Sequence, residues 1–312
     1  MFERNAFNIL NSRISDNNFE SVLLSGVRGC GKTTLAGMFS KRFAQSMTFS
    51  LSESHDRQAF KDLRTGHLRF SDLYLLRNRD PNGGRTLLFL DDVHAAPEIW
   101  TALNRLPNRP ANLFLLGASD ERHLPDPQTV ALHPASFPEF LAATGETEAL
   151  SQYLEVPCPD HAHARLLGLF HRFVLVGGMP EAVSAWAEER NTSGVEKAFG
   201  HILSGWNRLI VEEVAGRKSA RLASELLTDA FPFAAERIRF RGFANRPVRS
   251  REAAQAFRTL EKLQFVSLIH PVTETVPGSL PDTGRSPRLQ FADTGMVVFL
   301  SGIRHPYPNR PT

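Results

Sequence analysis

An α/β fold is predicted by three short apolar runs within the first 140 residues, by helical patterning from about 150 to 230, and by a basic α+β stretch after it. Val22-Leu23-Leu24, Thr86 to Leu90 and Leu113 to Leu116 are continuous apolar runs of strand length. Strands covered on both faces by helices read this way, so the sheet is expected to be parallel. At 312 residues, 42% hydrophobic and 22% charged, the chain can bury a substantial core and has the length of two domains. Collagen-like, coiled-coil and largely disordered classes are excluded.

The first run opens the core. After Lys32, residues Leu35, Met38, Phe39 and Phe43 fall at helical spacing and give one buried face. Residues 1–150 are read as this α/β core. Ala164 to Val176 is an apolar helix stopping at Gly177-Gly178, and Ser219 is the expected N-cap of a helix reaching Ala230. Together these make 151–232 a helical lid. Within 233–303, a helix from Ser250 to Gln264 precedes a β-like run, Phe265 to Val272, and a turn-rich loop, 276–288. The ends of that loop are apolar enough to pair as a hairpin, which would make a winged helix. The tail from Arg304 to Thr312 is expected to be loose.

Two cysteines, Cys30 and Cys158, cannot build a disulfide framework. The N-terminus carries Glu3 and Arg4 with no long apolar run, and no stretch reaches the roughly 18 apolar residues of a membrane helix. A cytoplasmic protein without a membrane partner is expected. The net charge is +3, but only six of the 36 basic residues are lysines, leaving thirty arginines. Genomic base composition is one reading of that skew. Selection for planar phosphate or base contacts is the other.

Gly26-Val27-Arg28-Gly29-Cys30-Gly31-Lys32-Thr33 matches G-x-x-x-x-G-K-[ST], a phosphate-binding P-loop, between an apolar strand and an apolar-faced helix. Its glycines let backbone N–H groups turn inward around a phosphate, and the helix N-terminus adds the positive end of its dipole. Arg28, Gly29, Cys30 and Thr34 complete the expected ATP-binding set. Lys32 would reach the β- and γ-phosphates, and Thr33 would ligate Mg²⁺. Cys30, beside the helix N-terminus and Lys32, is expected to favour thiolate and to react with a maleimide unless Mg-ATP covers it. About 60 residues on, Leu87 to Leu90 ends in Asp91-Asp92, a Walker B pattern. Asp91 would hold Mg²⁺ and Asp92 would polarise the attacking water. Leu113 to Leu116 ends in Gly117-Ala118-Ser119, and Ser119, with Asp120 as the alternative, would sense the γ-phosphate.

Gly26-x-Arg28-x-x-Gly31-Lys32-Thr33, Asp91-Asp92 and Gly117-Ala118-Ser119 together resemble the archaeal-type ATPase group, P-loop ATPases of the AAA+/STAND assemblage. His133-Pro134-Ala135-Ser136-Phe137-Pro138-Glu139-Phe140-Leu141 is similar to that group's P-L-S-F-x-E-F-L signature, and Gly177-Gly178-Met179-Pro180-Glu181 to its G-G-x-P-E segment. On the residues alone, Ser136 and Glu139 have capping-box spacing, and Gly178-Met179-Pro180 ends one helix and starts another. The resemblance implies a slowly hydrolysing, Mg-ATP-dependent switch in a mobile-element or defence setting, with Pro180 against the adenine. A homo-oligomer or a partner protein is implied with it. The chain departs from the group in three ways. Asp92 stands where Glu is commoner, Pro125-Asp126 stands for Gly-Arg so that Arg122 is the nearest arginine, and Thr312 comes too early for the nuclease-like domain of many relatives. No nuclease activity is expected.

Seven arginines crowd residues 236–258, and Arg246, Arg249, Arg251 and Arg258 are the candidate DNA contacts at the recognition helix of the winged helix. A protein-docking surface or a nucleotide lid is the other reading of that module. His161, His163 and His171 lack a supporting cysteine or acid cluster and read as surface residues. His94 is assigned no chemistry.

Overall fold

The computed structural model describes residues 2, 4–14, 21–63, 70–106, 110, 112–121, 129–272, 276 and 280–302. Arg122, Pro277, Gly278 and the tail from Arg304 lie outside the described residues. The chain divides into two compact units, residues 3–133 and residues 134–312 with 1–2. The division falls at 133/134 instead of the expected 150, because Phe137 packs its ring against Tyr153, Phe170 and Phe173.

The first unit runs α1 (Asn5–Ile14), β1 (Ser21–Ser25), α2 (Lys32–Ser40), β2 (Gln45–Ser50), α3 (Ser54–Gln58), α4 (Phe70–Leu76), β3 (Thr86–Asp91), α5 (Pro97–Arg105), β4 (Leu113–Ser119) and β5 (Thr129–Ala131). Its five strands form one sheet in the order β2-β3-β4-β1-β5, parallel throughout. Alternate strand residues supply two buried faces. Leu23, Leu88, Leu90 and Leu115 join Trp100 and Leu103 of α5 on one, while Phe114 meets the rings of Phe39 and Phe43 on the other. With no face left to water, the strand sequences lose polar alternation. Each fully buried Leu or Phe contributes about 1.5–3 kcal/mol. Two strands carried no such signature. β2 is the edge strand QSMTFS, half of it only partly buried, and β5 is three residues long.

The second unit runs α6 (Phe137–Ala143), α7 (Thr147–Leu154), α8 (His163–Val176), α9 (Pro180–Glu189), α10 (Thr192–Glu213), α11 (Arg217–Ala230), α12 (Ser250–Lys262), β6 (Val266–Ile269), β7 (Arg288–Phe291) and α13 (Thr294–Leu300). The capping box at Ser136 forms, with the Ser136 N–H donating to Glu139 Oε2 at 2.8 Å. Helix α11 begins at Arg217 after Gly216, whose φ of 90° sets the turn, so Ser219 lies inside the helix and is not its cap. Helix α12 stops at Lys262, two residues early, and the β-run shortens to Val266–Ile269. β6 and β7 pair antiparallel, Val266 opposite Phe291, and Arg237 bridges to Arg288 on the outer strand. Stacked rings lock the unit: Trp206 on Phe265 at 4.3 Å and Phe231 on Phe291 at 4.4 Å between centroids. Among the described residues no helix is long and apolar enough to cross a membrane.

Candidate functional site

The site grows from the C-terminal ends of β1, β3 and β4. Where β1 stops, the Gly26 N–H donates to the Ser119 carbonyl of β4 at 3.2 Å, and the loop turns away from the sheet. A methyl group on Gly26 would run into the Leu132 carbonyl oxygen, so only glycine fits. Gly29 and Gly31 sit at φ 92° and 97°, the left-handed region that glycine enters without strain. Gly31 then starts α2, whose first-turn N–H groups have no partner within the helix and define an anion-binding end.

Side chains close the loop from several sides. The Lys32 ammonium, 7% exposed, donates to the Gly26 carbonyl at 2.6 Å and the Val27 carbonyl at 3.1 Å, and lies 2.6 Å from Asp120 Oδ1. Arg28 Nε lies 3.6 Å from the other Asp120 oxygen. The Thr33 hydroxyl donates to Asp91 Oδ2 at 2.7 Å, bringing the two motifs together across 58 positions of sequence. Burial raises the Asp91 carboxyl above the usual aspartate range, with the Thr33 hydrogen bond opposing. Asp92 follows in left-handed backbone at φ 52°, its N–H donating to Asp91 Oδ1 at 3.0 Å and its carboxylate accepting from the Ser50 hydroxyl at 3.4 Å. Ligand atoms of Asp92, His94 and Asp120 lie within 4.8 Å of one another.

Residues 18–141 match the family described as AAA domain, and residues 167–307 match a domain of unknown function. The Walker-type ATPase of Pyrococcus abyssi has a similar structure, with a TM-score of 0.53 over 96% of both chains. Its identity to this chain is 13%, so the likeness is one of fold. This is a P-loop NTPase core followed by a helical region. Looser overlaps, too loose to argue from, exist with C. elegans PCH-2 (14% identity, 66% of this chain and 70% of that one, TM-score 0.40). The same holds for Drosophila ORC bound to DNA (14% identity, 96% and 85%, TM-score 0.35). A comparison with curated proteins finds no match.

Within the NTPase core the loop residues, Asp91 and Asp92 assemble, but two expectations change. Ser119 is fully buried, and its hydroxyl accepts from the Glu121 N–H at 3.1 Å, so it is committed to the backbone. Asp120, one residue further, is the group that reaches Lys32. Cys30 is fully buried as well, and burial pushes its thiol up by more than Lys32 draws it down, so it is no reactive thiolate. Its contribution is its backbone: the Arg4 guanidinium donates to the Cys30 carbonyl at 3.0 Å and the His133 carbonyl at 2.6 Å. Sequence reading passed over Arg4, since no local pattern marks a contact made across 26 and 129 positions.

In the helical region, Pro180 opens α9 as expected. The turn before it is clamped by a residue the sequence did not single out. The buried Asp293 accepts from the Gly178 N–H at 2.6 Å and from the Met296 N–H at 2.9 Å, capping α13 with the same carboxylate. Gly177, at φ 73°, leaves no room for a side chain beside it. Of the candidate DNA contacts, Arg249, Arg251 and Arg258 are exposed on α12 or at its start. Arg246, the fourth, is ion-paired to Asp229 and, at 2.6 Å, to Glu225.

Proposed function

We propose that the chain binds and slowly hydrolyses Mg-ATP, and that nucleotide state sets its oligomerisation or its engagement of DNA from the cytoplasm. The observation that carries the reading is the Thr33–Asp91 hydrogen bond beside the glycine loop. It pairs a hydroxyl and a carboxylate, hard oxygen donors suited to Mg²⁺, at the anion-binding end of α2. A bound Mg²⁺ would supply positive charge against the charge that develops on the phosphates. Thr33 and Asp91 would hold it, Lys32 and the N–H groups of Gly29, Gly31 and Thr34 would hold the phosphates, and Pro180 would bear on the adenine. Asp92 orients the attacking water with a carboxylate one methylene shorter than glutamate, which favours slow turnover.

Helices α11 and α12, the bridge at Arg237 and the β6–β7 hairpin have the order of a winged helix. Arg249, Arg251 and Arg258 on α12 would meet phosphates there. The local pairing of Arg246 favours a second reading, in which the module docks a partner protein and the chain is an ATP-dependent scaffold. Salt-dependent DNA binding separates the two. For the nucleotide site, the test is calorimetric titration with Mg-ATP of the unmodified protein and of Lys32→Ala. Binding is expected to disappear in the variant while its circular dichroism is unchanged, and equal affinity in both would overturn the reading.

A further inference from the structure

Lysine has three N–H donors, and the Lys32 ammonium faces three oxygen partners, the Gly26 carbonyl, the Val27 carbonyl and the Asp120 carboxylate at 2.6, 3.1 and 2.6 Å, with the Cys30 sulfur further off at 3.9 Å. Asp120 uses its other oxygen toward Arg28, so one carboxylate bridges both cationic side chains of the phosphate loop. Asp120 is 4% exposed, and its backbone N–H donates to His94 Nδ1 at 3.3 Å, which holds the main chain and leaves the side chain able to turn. Burial works against its charge, yet Lys32, with His94 and Arg28, holds it below the usual aspartate range.

We propose that Asp120 is a built-in competitor for phosphate: a carboxylate that occupies Lys32 and Arg28 and must be displaced before a nucleotide's β- and γ-phosphates engage them. Two of the three Lys32 partners are carbonyls of a glycine-rich backbone turn and cannot leave without unwinding it. The third is a side chain with two rotatable bonds. It is also the only one of the three that carries negative charge, so it alone is repelled by an arriving phosphate. Once displaced, the carboxylate stays within reach of the His94 ring and Asp92, which lie in the same 4.8 Å cluster. The competition is electrostatic and concerns only groups that Lys32 reaches. It penalises ATP and ADP and leaves AMP, which has no β-phosphate, unaffected. Asp120 thereby raises the nucleotide concentration at which the loop fills.

The inference rests on the nucleotide-site reading above, and the test keeps the two apart. Calorimetry with Mg-ATP, ADP and AMP is run on the unmodified protein, Asp120→Asn and Asp120→Glu. Asp120→Asn is expected to bind Mg-ATP and ADP about tenfold more tightly, equivalent to about 1.4 kcal/mol, with AMP unchanged. Asp120→Glu, which keeps the charge, is expected to return toward the unmodified affinity. In thermal melts Asp120→Asn should be less stable without nucleotide, because Lys32 stays buried beside a neutral group, and the difference should close as Mg-ATP is added. A purely structural role would leave that difference constant. Should Asp120→Asn fail to fold, Asp120→Ser carries the same expectation. Equal or weaker ATP binding by the folded neutral variant overturns the competitor role, while absence of binding by every protein, the unmodified one included, overturns the nucleotide site itself.

Discussion

Asp92 concentrates two opposing demands on one residue. Its backbone is left-handed at φ 52°, a conformation that aspartate tolerates better than most residues because its short side chain bonds locally. In the proposed hydrolytic role, the same shortness would hold the carboxylate back from an attacking water that a glutamate would reach. Asp92→Glu is therefore expected to raise the ATP hydrolysis rate, each tenfold gain representing about 1.4 kcal/mol of barrier. It should also lower stability in urea by about 1 kcal/mol through backbone strain. Asp92→Asn should lower the rate without the stability cost. If neither substitution changes turnover, Asp92 does not act on the water. At this scale the sequence was readable where chemistry demands a residue type at fixed spacing, as at Lys32, Thr33 and Asp91. At Ser119 it showed a residue type and not the surroundings, a buried hydroxyl that accepts from the Glu121 N–H. It was silent at Arg4, whose partners are carbonyls far along the chain.

Helix α12 separates charge that is available from charge that is spent. Arg249, Arg251 and Arg258 are exposed, whereas Arg246 is held by Glu225 and Asp229 of α11. If α12 meets DNA, replacing the three exposed arginines together should flatten the dependence of log affinity on log salt by up to about three units. Replacing Arg246 alone should leave the slope unchanged and lower the melting temperature. The measurement is fluorescence anisotropy with duplex DNA over a salt series, and a flat response in the unmodified protein favours protein docking. Elements with strong periodicity, α8, α11 and α12, were legible to within one or two residues, whereas α2 ends at Ser40, three residues short of Phe43, which the spacing includes. β2 was not, because an edge strand with a half-wet face carries too little apolar signal, and neither was β5, too short to have a pattern. The Gly177-Gly178 turn was visible as a helix break. Its cause, a carboxylate 115 positions away, was not.

For the whole molecule, the order of strands in space says something about the order of events in time. β1 carries the phosphate loop and is made first among the strands of its sheet, yet its two neighbours, β4 and β5, are the last of that sheet to be made. The contacts that hold the loop follow the same rule: Ser119 receives Gly26, Asp120 receives Lys32, and His133 shares Arg4 with Cys30. Contacts between distant positions close large loops and form late. A growing chain therefore carries a complete glycine motif through most of the first unit's synthesis while having no strand on either side of it. Translation arrested at successive lengths should show ATP binding appear only once residues through His133 have left the ribosome, and chains ending before Leu113 should show none. Binding by those shorter chains would mean that the loop shapes itself locally. Binding that waits for those lengths would make the late strands a timer for the proposed nucleotide site.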